Sequence, residues 1–377
     1  MFNLGKFFSG FRIRHRLKTA NKFYVQHEYK KAIPLYKKIL CDNPHHYGAL
    51  CNLAAAYFED GDYKNALSLF LQLQKVDSTN PWWQTYLSQI YQKQKSYRKA
   101  LNSAWQAVNL SCGSTEHQIN LSYAFYEIAL IRGKDFVTDM VQKFYDCYPD
   151  SSIAQQCYNT FFSPANSLKC NLRYVEKIFD VFAPEFDEIL HRLQYDSPSF
   201  VARILADFYQ RKKRKLHILD LGCGSGLCAQ AIKKIFPRSI IFGVDISAQM
   251  LQQADAKKVY FYLSKNNLID YLKSSIEYFD VIVAADVFTY FGCLDEVINL
   301  ASHHLKKNGV FIFTVSQNLH NRKKFYLTLS SRFVHNFSYI KKLLKDNGFL
   351  NVKLHKKVLR KENGKDIIGG IFLAVKT

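Results

Sequence analysis

A glycine-rich turn beside a carboxylate is the part of this sequence best suited to chemistry. The turn, Gly222-x-Gly224-x-Gly226, follows the apolar run His217–Leu221. Glycines let a ligand approach the backbone closely, but a dinucleotide fingerprint would space them as G-x-G-x-x-G. Asp220, two residues before the turn, would repel a phosphate, whereas it can neutralise an ammonium or a sulfonium. The sequence therefore predicts a ligand that is cationic in part.

A second carboxylate supports a binding site at the same place. Asp245 ends the apolar run Ile240–Asp245 and stands 19 residues after Gly226. An ionised carboxylate accepts several hydrogen bonds, so this side chain suits the two hydroxyls of a ribose. Packing alone does not require two carboxylates around a glycine turn, which favours ligand binding.

The elements that must position these residues alternate along the second half of the chain. Continuous apolar runs separated by helix-length segments predict a parallel sheet covered on both faces. The predicted strands are His217–Leu221, Ile240–Asp245, Val259–Leu263, Asp280–Asp286, Val310–Val315, Asn351–Val358 and Gly370–Val375. The polar link 360–365 predicts that the last two strands form an antiparallel hairpin.

This α/β order, together with the turn and its two carboxylates, resembles the class I S-adenosylmethionine-dependent methyltransferases. The resemblance implies a Rossmann-like seven-stranded methyltransferase sheet over residues 172–377, with S-adenosyl-L-methionine as the cofactor. The cofactor-binding residues that it implies are Asp220, Gly222, Gly224, Gly226, Asp245, Ile246, Asn267, Leu268 and Asp286. The likeness is strongest to predicted methyltransferases that carry tetratricopeptide repeats, through Phe186-Asp187, Tyr195, 219–227, 284–292, 331–335 and Gly348-Phe349.

Two of these positions keep an alternative interpretation. Asn267 suits the edge of an adenine because an amide both donates and accepts, but it could instead cap a turn. Asp286 is expected beside the transferred methyl group, or alternatively as the cap of the next helix.

The candidate acceptor-side residues are Tyr290, Arg332 and His335. Methyl transfer is an in-line displacement at a sulfonium carbon, so the enzyme aligns an acceptor and removes at most one proton. His335 could act as the base because its ordinary pKa is near neutrality, although a lone histidine is often structural. Arg332 could hold a carboxylate or phosphate of the acceptor, or form a surface ion pair. The helical segment 173–193 is expected to act as a lid through Tyr174, Phe186 and Asp187, or to be an ordinary amphipathic helix.

The first half of the chain repeats with a period of 34 residues. The equivalent positions are Ala32, Ala66 and Ala100; Tyr29, Tyr63 and Tyr97; Phe23, Tyr57 and Tyr91; and Ala20, Ala54 and Ser88. Small residues allow helices to cross closely, and the pattern resembles the helix-turn-helix unit of the tetratricopeptide repeat. We predict an α-solenoid over residues 13–160 whose last unit, 116–160, is degenerate. The resemblance implies a groove that binds a protein or peptide; a spacer or a dimerisation surface is the alternative.

The remaining boundaries follow from composition and charge. Residues 1–12 form a basic, aromatic lead segment, and residues 161–171 are the predicted linker between an α domain and an α/β domain.

The formal charge of +21 favours nucleic acid, anionic lipid or an acidic protein as a partner, but the excess is spread along the chain. Residues 211–215 are its only dense cluster, and residues 1–18 are a candidate for peripheral membrane contact.

Cysteine usage and hydropathy restrict the class of protein. Nine cysteines without a C-x-x-C pair suit neither a disulfide framework nor a zinc site, so no metal is expected. No apolar run reaches eighteen residues and the start lacks the pattern of a secretion signal, so a cytoplasmic location is expected.

The sequence as a whole predicts an S-adenosylmethionine-dependent methyltransferase whose repeat array recruits a protein partner or substrate. One alternative is an interaction scaffold with an inactive or weakly cofactor-binding methyltransferase-like domain. The other is an RNA methyltransferase, which the net charge would suit.

Overall fold

The structure, a computed structural model, describes residues 4–165, 167–210, 214–319, 323–362 and 365–377. Most of the basic cluster at 211–215, and the side chains of residues 1–11, lie outside the described residues. Contacts divide the chain into two compact units, Met1–Val137 and Thr138–Thr377.

The first unit is a series of antiparallel helices in which each helix packs on the next. The helices are α1 (Leu4–Val25), α2 (Tyr29–Asp42), α3 (Tyr47–Glu59), α4 (Tyr63–Val76), α5 (Pro81–Lys93), α6 (Tyr97–Leu110) and α7 (Thr115–Arg132). The repeated small residues lie at the helix crossings, since Ala20, Ala32, Ala54, Ala66 and Ala100 are fully buried. The predicted helical repeats are therefore confirmed.

The turns inside the helical pairs repeat as regularly as the helices. His27, Gly61 and Lys95 occupy the left-handed region, with φ of 58°, 82° and 60°. This conformation reverses the chain in three residues, and only glycine adopts it without strain. The second helix of each pair then begins two residues later, at the repeated tyrosine.

The second unit contains a seven-stranded sheet with helices around it. Its helices are α8 (Thr138–Cys147), α9 (Ser152–Phe162), α10 (Leu172–Phe182), α11 (Phe186–Arg192), α12 (Ser197–Tyr209), α13 (Leu227–Ile235), α14 (Ala248–Ala256), α15 (Leu268–Ser274), α16 (Asp295–His303) and α17 (Phe337–Asp346). Its strands are β1 (His217–Leu221), β2 (Ile240–Asp245), β3 (Tyr262–Lys265), β4 (Phe279–Ala284), β5 (Leu305–Ser316), β6 (Phe325–Leu327), β7 (Phe333–His335), β8 (Phe349–Glu362) and β9 (Lys365–Lys376).

The strand order β3-β2-β1-β4-β5-β9-β8 confirms the predicted Rossmann-like methyltransferase sheet. The first five strands pair in parallel, and β9 pairs antiparallel with both β5 and β8. Successive strands are added to one side of β1 up to β3 and to its other side from β4 onward, and ligands of such sheets bind outside the carboxyl ends of the strands at this switch point. The order of the strands therefore locates the site before any side chain is considered.

Several predicted boundaries differ from the structure. The third strand is Tyr262–Lys265 instead of 259–263, because Lys258 has a φ of 53° and ends the preceding turn there. The helical segment 173–193 is broken by a 3₁₀ turn at Ala183–Glu185, where Pro184 cannot continue the hydrogen bonding of an α-helix. The hairpin of β6 and β7 has no counterpart among the predicted strands.

The end of the repeat array and the linker also differ. Contacts place α8 and α9 in the second unit, although the sequence assigned them to the array. The Oγ atoms of Thr160 and Ser331 lie 2.7 Å apart, which joins α9 to the turn before β7. The predicted linker 161–171 is not a free connection, because Leu168 O accepts from Gly292 N and Cys170 N donates to Tyr290 O.

Within the described residues, no helix is both long and apolar enough to cross a membrane. No group of three or more His, Cys, Asp or Glu side chains in the same residues is placed to hold a metal ion.

Candidate functional site

A cavity lies at the carboxyl ends of β1, β2 and β4 and is partly covered by α10 and α11. Of the predicted site residues, those that line it are Asp220, Gly222, Gly224, Asp245, Ile246, Asn267, Leu268, Asp286, Tyr290 and Arg332. Gly226 and His335 are not among the lining residues. Residues that are far apart in the sequence thus meet in one place.

The glycine turn forms the floor of the cavity. Gly222 N and Cys223 N both donate to Val244 O, at 2.8 and 3.0 Å, and this fixes the turn against the end of β2. A Cβ atom on Gly222 would lie 2.4 Å from Val287 Cγ2, whereas one on Gly224 would meet nothing nearer than a ring atom of Phe186 at 3.8 Å. The first glycine is thus required by packing, and the second leaves open space next to the backbone.

Asp245 connects the turn to the second strand. Its two carboxylate oxygens accept from Gly224 N at 2.8 Å and from Ser247 N at 2.9 Å. Burial raises the pKa of Asp245, and these backbone donors oppose the increase. A carboxylate has about four acceptor positions, so Asp245 retains capacity for a ligand hydroxyl.

Asp220 is the deepest acidic group of the site, with 1% of its surface exposed. Tyr260 Oη donates to its carboxylate at 2.8 Å. Burial raises the pKa of Asp220 to about 7, although the tyrosine opposes this effect. Sequence reasoning missed Tyr260, which is 40 residues away and has no local signal.

The Tyr260 ring also explains the third glycine. A Cβ atom on Gly226 would lie 3.0 Å from Tyr260 Cε2, and one on Gly243 of β2 would lie 2.8 Å from Tyr260 Cε1. Gly226 therefore makes room for the tyrosine that holds Asp220, and its role is packing beside the cavity.

For Asn267 the structure shows the alternative that the sequence left open, a cap. Its Oδ1 accepts from Ile269 N and Asp270 N, both at 3.0 Å, and its Nδ2 donates to Asp270. Its neighbour Asn266 also lines the cavity, and in the part of the chain that the structure describes its side chain has no hydrogen-bond partner. The amide available to a ligand at this edge is thus that of Asn266.

Asp286 does not cap a helix. It has a φ of 60°, and non-glycine residues in that region are concentrated at functional sites. Its carboxylate accepts from Thr314 Oγ1 at 3.2 Å and from Arg360 Nη1 at 3.4 Å. Arg360, which sequence reasoning assigned to a polar turn, lies in β8, and its side chain is 7% exposed at the wall of the cavity.

Tyr290 and Arg332 face the same part of the cavity. Burial raises the pKa of Tyr290, while the charges of Arg332 and Arg360 oppose the increase. The ring of Phe179 in α10 meets Tyr290 edge-on, with 5.5 Å between centroids. Tyr290 is therefore held between the covering helix and the two arginines.

The structure places His335 away from the cavity. It is fully buried, its Nε2 donates to Gly292 O at 3.1 Å, and its Nδ1 has no hydrogen-bond partner among the described residues. Burial lowers the pKa of His335 to about 4. Because His335 does not line the cavity and its lowered pKa makes it a weak base, the structure does not support the expected role of a base.

Two carboxylates attach the covering helices to the sheet side of the cavity. Asp187 of α11 accepts from Ser225 Oγ and from Lys257 Nζ, the latter at 2.7 Å. Asp180 of α10 accepts from Ser247 Oγ at 2.6 Å. These contacts hold the lid that the sequence predicted through Asp187 directly over the glycine turn.

The sequence matches two known families in the corresponding regions. Residues 219–311 match the family described as methyltransferase domain, and residues 26–90 match the family described as tetratricopeptide repeat.

Individual relatives agree with the first match. Malonyl-[acyl-carrier protein] O-methyltransferase of Bacillus anthracis is 27% identical over 148 residues, which are 38% of this chain and 53% of that protein. Ubiquinone biosynthesis O-methyltransferase of Rickettsia akari is 28% identical over 145 residues, which are 37% and 54%. The chain spans about half the length of these curated relatives.

Among solved structures, magnesium protoporphyrin IX methyltransferase from Synechocystis PCC 6803 with bound S-adenosylmethionine is similar to 65% of this chain. The similarity covers 97% of that protein, with 16% identity and a TM-score of 0.36. The two family matches and the strand order together show tetratricopeptide repeats within residues 26–90 and a methyltransferase domain within residues 219–311, the latter in a Rossmann-like seven-stranded sheet.

Proposed function

We propose that this chain is an S-adenosylmethionine-dependent methyltransferase. The observation that carries the proposal is the single cavity lined by Asp220, Asp245 and the open backbone of Gly224. A buried carboxylate without a cationic partner is costly, so the site suits a ligand that brings a positive charge. When bound, S-adenosylmethionine supplies a methyl group on a positively charged sulfur.

The chain's own residues have separate roles in this proposal. Asp220 balances the positive charge of the cofactor, and Asp245 accepts from ribose hydroxyls while it holds the glycine turn. The covering helices α10 and α11 exclude water through Phe179 and Phe186, which strengthens the electrostatic interactions inside the cavity.

Oxygen is the acceptor atom that the comparisons favour. Both curated relatives described above are O-methyltransferases by name. We propose oxygen as the acceptor atom for this chain as well. The substrates in the two names apply only to those two proteins.

Calorimetric titration of the full chain with S-adenosylmethionine tests the proposal. We expect saturable binding by the wild type and a loss of at least about tenfold in affinity for Asp245→Ala, which removes charge-assisted hydrogen bonds. Asp255→Ala is the matched control, because this carboxylate is 67% exposed, pairs with the nearby Lys258 and does not line the cavity. Absence of binding, or equal binding by the two variants, would defeat the enzymatic function and leave the scaffold as the better account.

We also propose that the repeats recruit a protein that carries or presents the acceptor. Stacked helical repeats form extended concave surfaces that suit such a partner. Cross-linking in a lysate that contains labelled cofactor tests this role. A protein cross-linked within residues 13–132 should belong to the complex that gains the label; a labelled acceptor without any cross-linked protein at the array contradicts the proposal.

A further inference from the structure

The cavity has two regions of different charge. Asp220, Asp245 and Tyr260 interact with one another at the end near β1 and β2. At the other end, Asp286 pairs with Arg360, and Arg332 is close enough to Tyr290 to influence its ionisation. The first region is the proposed cofactor end, which leaves the second, with two arginines and one carboxylate, for the acceptor.

The acceptor end contains no ready base. No histidine or lysine is among the described residues that line the cavity. Burial raises the pKa of Cys170 to about 12 and also raises that of Tyr290, so neither is an anion at neutral pH. The Asp286 carboxylate is held by Arg360 and Thr314. Among the described residues at this end, the candidate base is therefore a carboxylate that two donors already occupy.

The walls of this end are apolar. Leu190, Leu193 and Pro198 line it beside the aromatic rings of Phe179 and Phe291. A molecule that fits here would bury an aliphatic or aromatic body and present a polar group to the arginines.

The backbone that carries Arg332 is anchored from two sides. Thr328 N and Thr328 Oγ1 donate to Arg332 O at 2.9 and 2.8 Å. Ser331, with a φ of 56°, contacts Thr160 Oγ1 through its side chain and accepts from Cys170 Sγ through its carbonyl. A turn held so closely suits a residue that must present its guanidinium in a fixed direction.

We propose that the acceptor is a carboxylate at the end of an apolar chain or ring, bound by Arg332 beside the Arg360–Asp286 pair. This inference rests on the proposed methyltransferase function. A lone pair of one carboxylate oxygen forms the new bond to the methyl carbon while the carbon–sulfur bond breaks, and that electron pair stays on sulfur. The products are a methyl ester and S-adenosylhomocysteine. No proton is transferred, so the step does not require the Asp286 carboxylate to leave Arg360 and Thr314.

The experiment uses the full chain saturated with S-adenosylhomocysteine. Calorimetry compares octanoate, octanol and octylamine, and in a second series 3-phenylpropanoate, 3-phenylpropanol and 3-phenylpropylamine. In at least one series the carboxylate should bind about tenfold or more tightly than the alcohol, with the amine weakest. An alcohol or an amine that binds as tightly as its carboxylate in both series would overturn the inference, as would the absence of binding by either carboxylate.

Variants test whether Arg332 causes the preference for the carboxylate. Arg332→Gln should reduce the preference for the carboxylate to less than about threefold, and Arg332→Lys should retain part of it. Arg238→Gln is the matched control, because this arginine is exposed at the turn before β2 and does not line the cavity. A preference that survives in Arg332→Gln contradicts the assignment. Failure of S-adenosylhomocysteine to bind would instead refute the proposed function, so the two failures are distinguishable.

Discussion

The carboxylate of Asp220 favours the binding of a cation but lowers the stability of the ligand-free fold. It is buried at the end of β1, and Tyr260 is its hydrogen-bonding partner. Because burial raises its pKa from the ordinary 3.8 to about 7, the folded chain binds a proton there that the unfolded chain has lost. The contribution of Asp220 to the free energy of unfolding therefore decreases as the pH rises from about 4 to 7, and it stays at its lowest value above pH 7. A bound cation would offset that cost.

The first prediction concerns Asp220→Asn. At pH 8 the variant should bind S-adenosylmethionine at least about tenfold more weakly, yet its ligand-free form should be more stable than the wild type by roughly 1 to 3 kcal/mol. Urea denaturation at pH 8 and pH 5 measures the difference in stability between the variant and the wild type, which should be smaller at pH 5. A stability difference that is equal at both values would show that the carboxyl is not protonated in the folded chain.

The second prediction concerns the pH dependence of cofactor affinity. Below pH 7 the affinity should fall by up to about tenfold per pH unit, because the cation prefers the ionised Asp220. Tyr260→Phe removes the donor that favours this ionised form, so its profile should move to higher pH. Tyr262→Phe, at a side chain that is about half exposed, should leave the profile unchanged. Identical profiles for the two variants would exclude Tyr260 as the residue that positions Asp220.

Local and distant residues of the site differ in how far the sequence could predict them. The sequence could predict that Asp220, Asp245, Gly222 and Gly224 lie close together, because a turn and the ends of two adjacent strands bring them together through short-range order. Arg360 and Tyr260 were missed because their partners are 74 and 40 residues away, and only the completed sheet unites them. His335 was misplaced because a lone histidine carries no signal of which way its side chain points.

At the scale of elements, α10 and α11 determine access to the cavity. Asp187 joins α11 to Ser225 of the glycine turn and to Lys257 at the end of α14. α11 has seven residues and none of them is buried, so we expect these polar contacts to contribute substantially to keeping it in place.

The third prediction follows from that contact. Asp187→Ala should raise the dissociation rate of S-adenosylmethionine several-fold, because charge-assisted hydrogen bonds of the cover are lost. Glu188→Ala is the control, since this carboxylate lies next to Asp187 on the same helix, is 51% exposed and does not line the cavity. Stopped-flow displacement measures both rates; equal rates for the two variants would mean that α11 does not hold the ligand.

The fourth prediction concerns the turns of the repeat array. Gly61 has a φ of 82°, so Gly61→Ala should lower stability by about 1 kcal/mol. Gly48 lies inside α3, and a Cβ atom there would meet only His46 at 3.7 Å. Gly48→Ala should therefore raise stability by up to about 1 kcal/mol. Chemical denaturation compares them, and changes of the same sign would contradict the role of the left-handed turn.

The periods of the sequence predicted most elements but not all of their ends. The 34-residue repeat predicted the helical pairs and the apolar runs predicted the seven strands, because both patterns depend on which side chains are buried. The break at Pro184, the later start of β3 and the small hairpin of β6 and β7 depend on single residues or on tertiary support, which periodicity does not register.

For the whole molecule, the net charge of +21 is a weaker guide than the cavity. The described basic residues are dispersed, and the two arginines of the site belong to its acceptor end. Dispersed charge favours salt-sensitive, sequence-independent adsorption to RNA. It does not by itself make RNA the acceptor.

The most direct test of methyltransferase activity is transfer of labelled methyl from S-adenosylmethionine by the full chain into a cell lysate that is then fractionated. The wild type should transfer label that mild alkali releases, as from a methyl ester, while Asp245→Ala should transfer little and Asp255→Ala as much as the wild type. Absence of label above the level of Asp245→Ala would contradict the central claim that this cavity transfers methyl groups. Label found only in RNA would still show methyltransferase activity, but the acceptor would then be RNA and not a carboxylate.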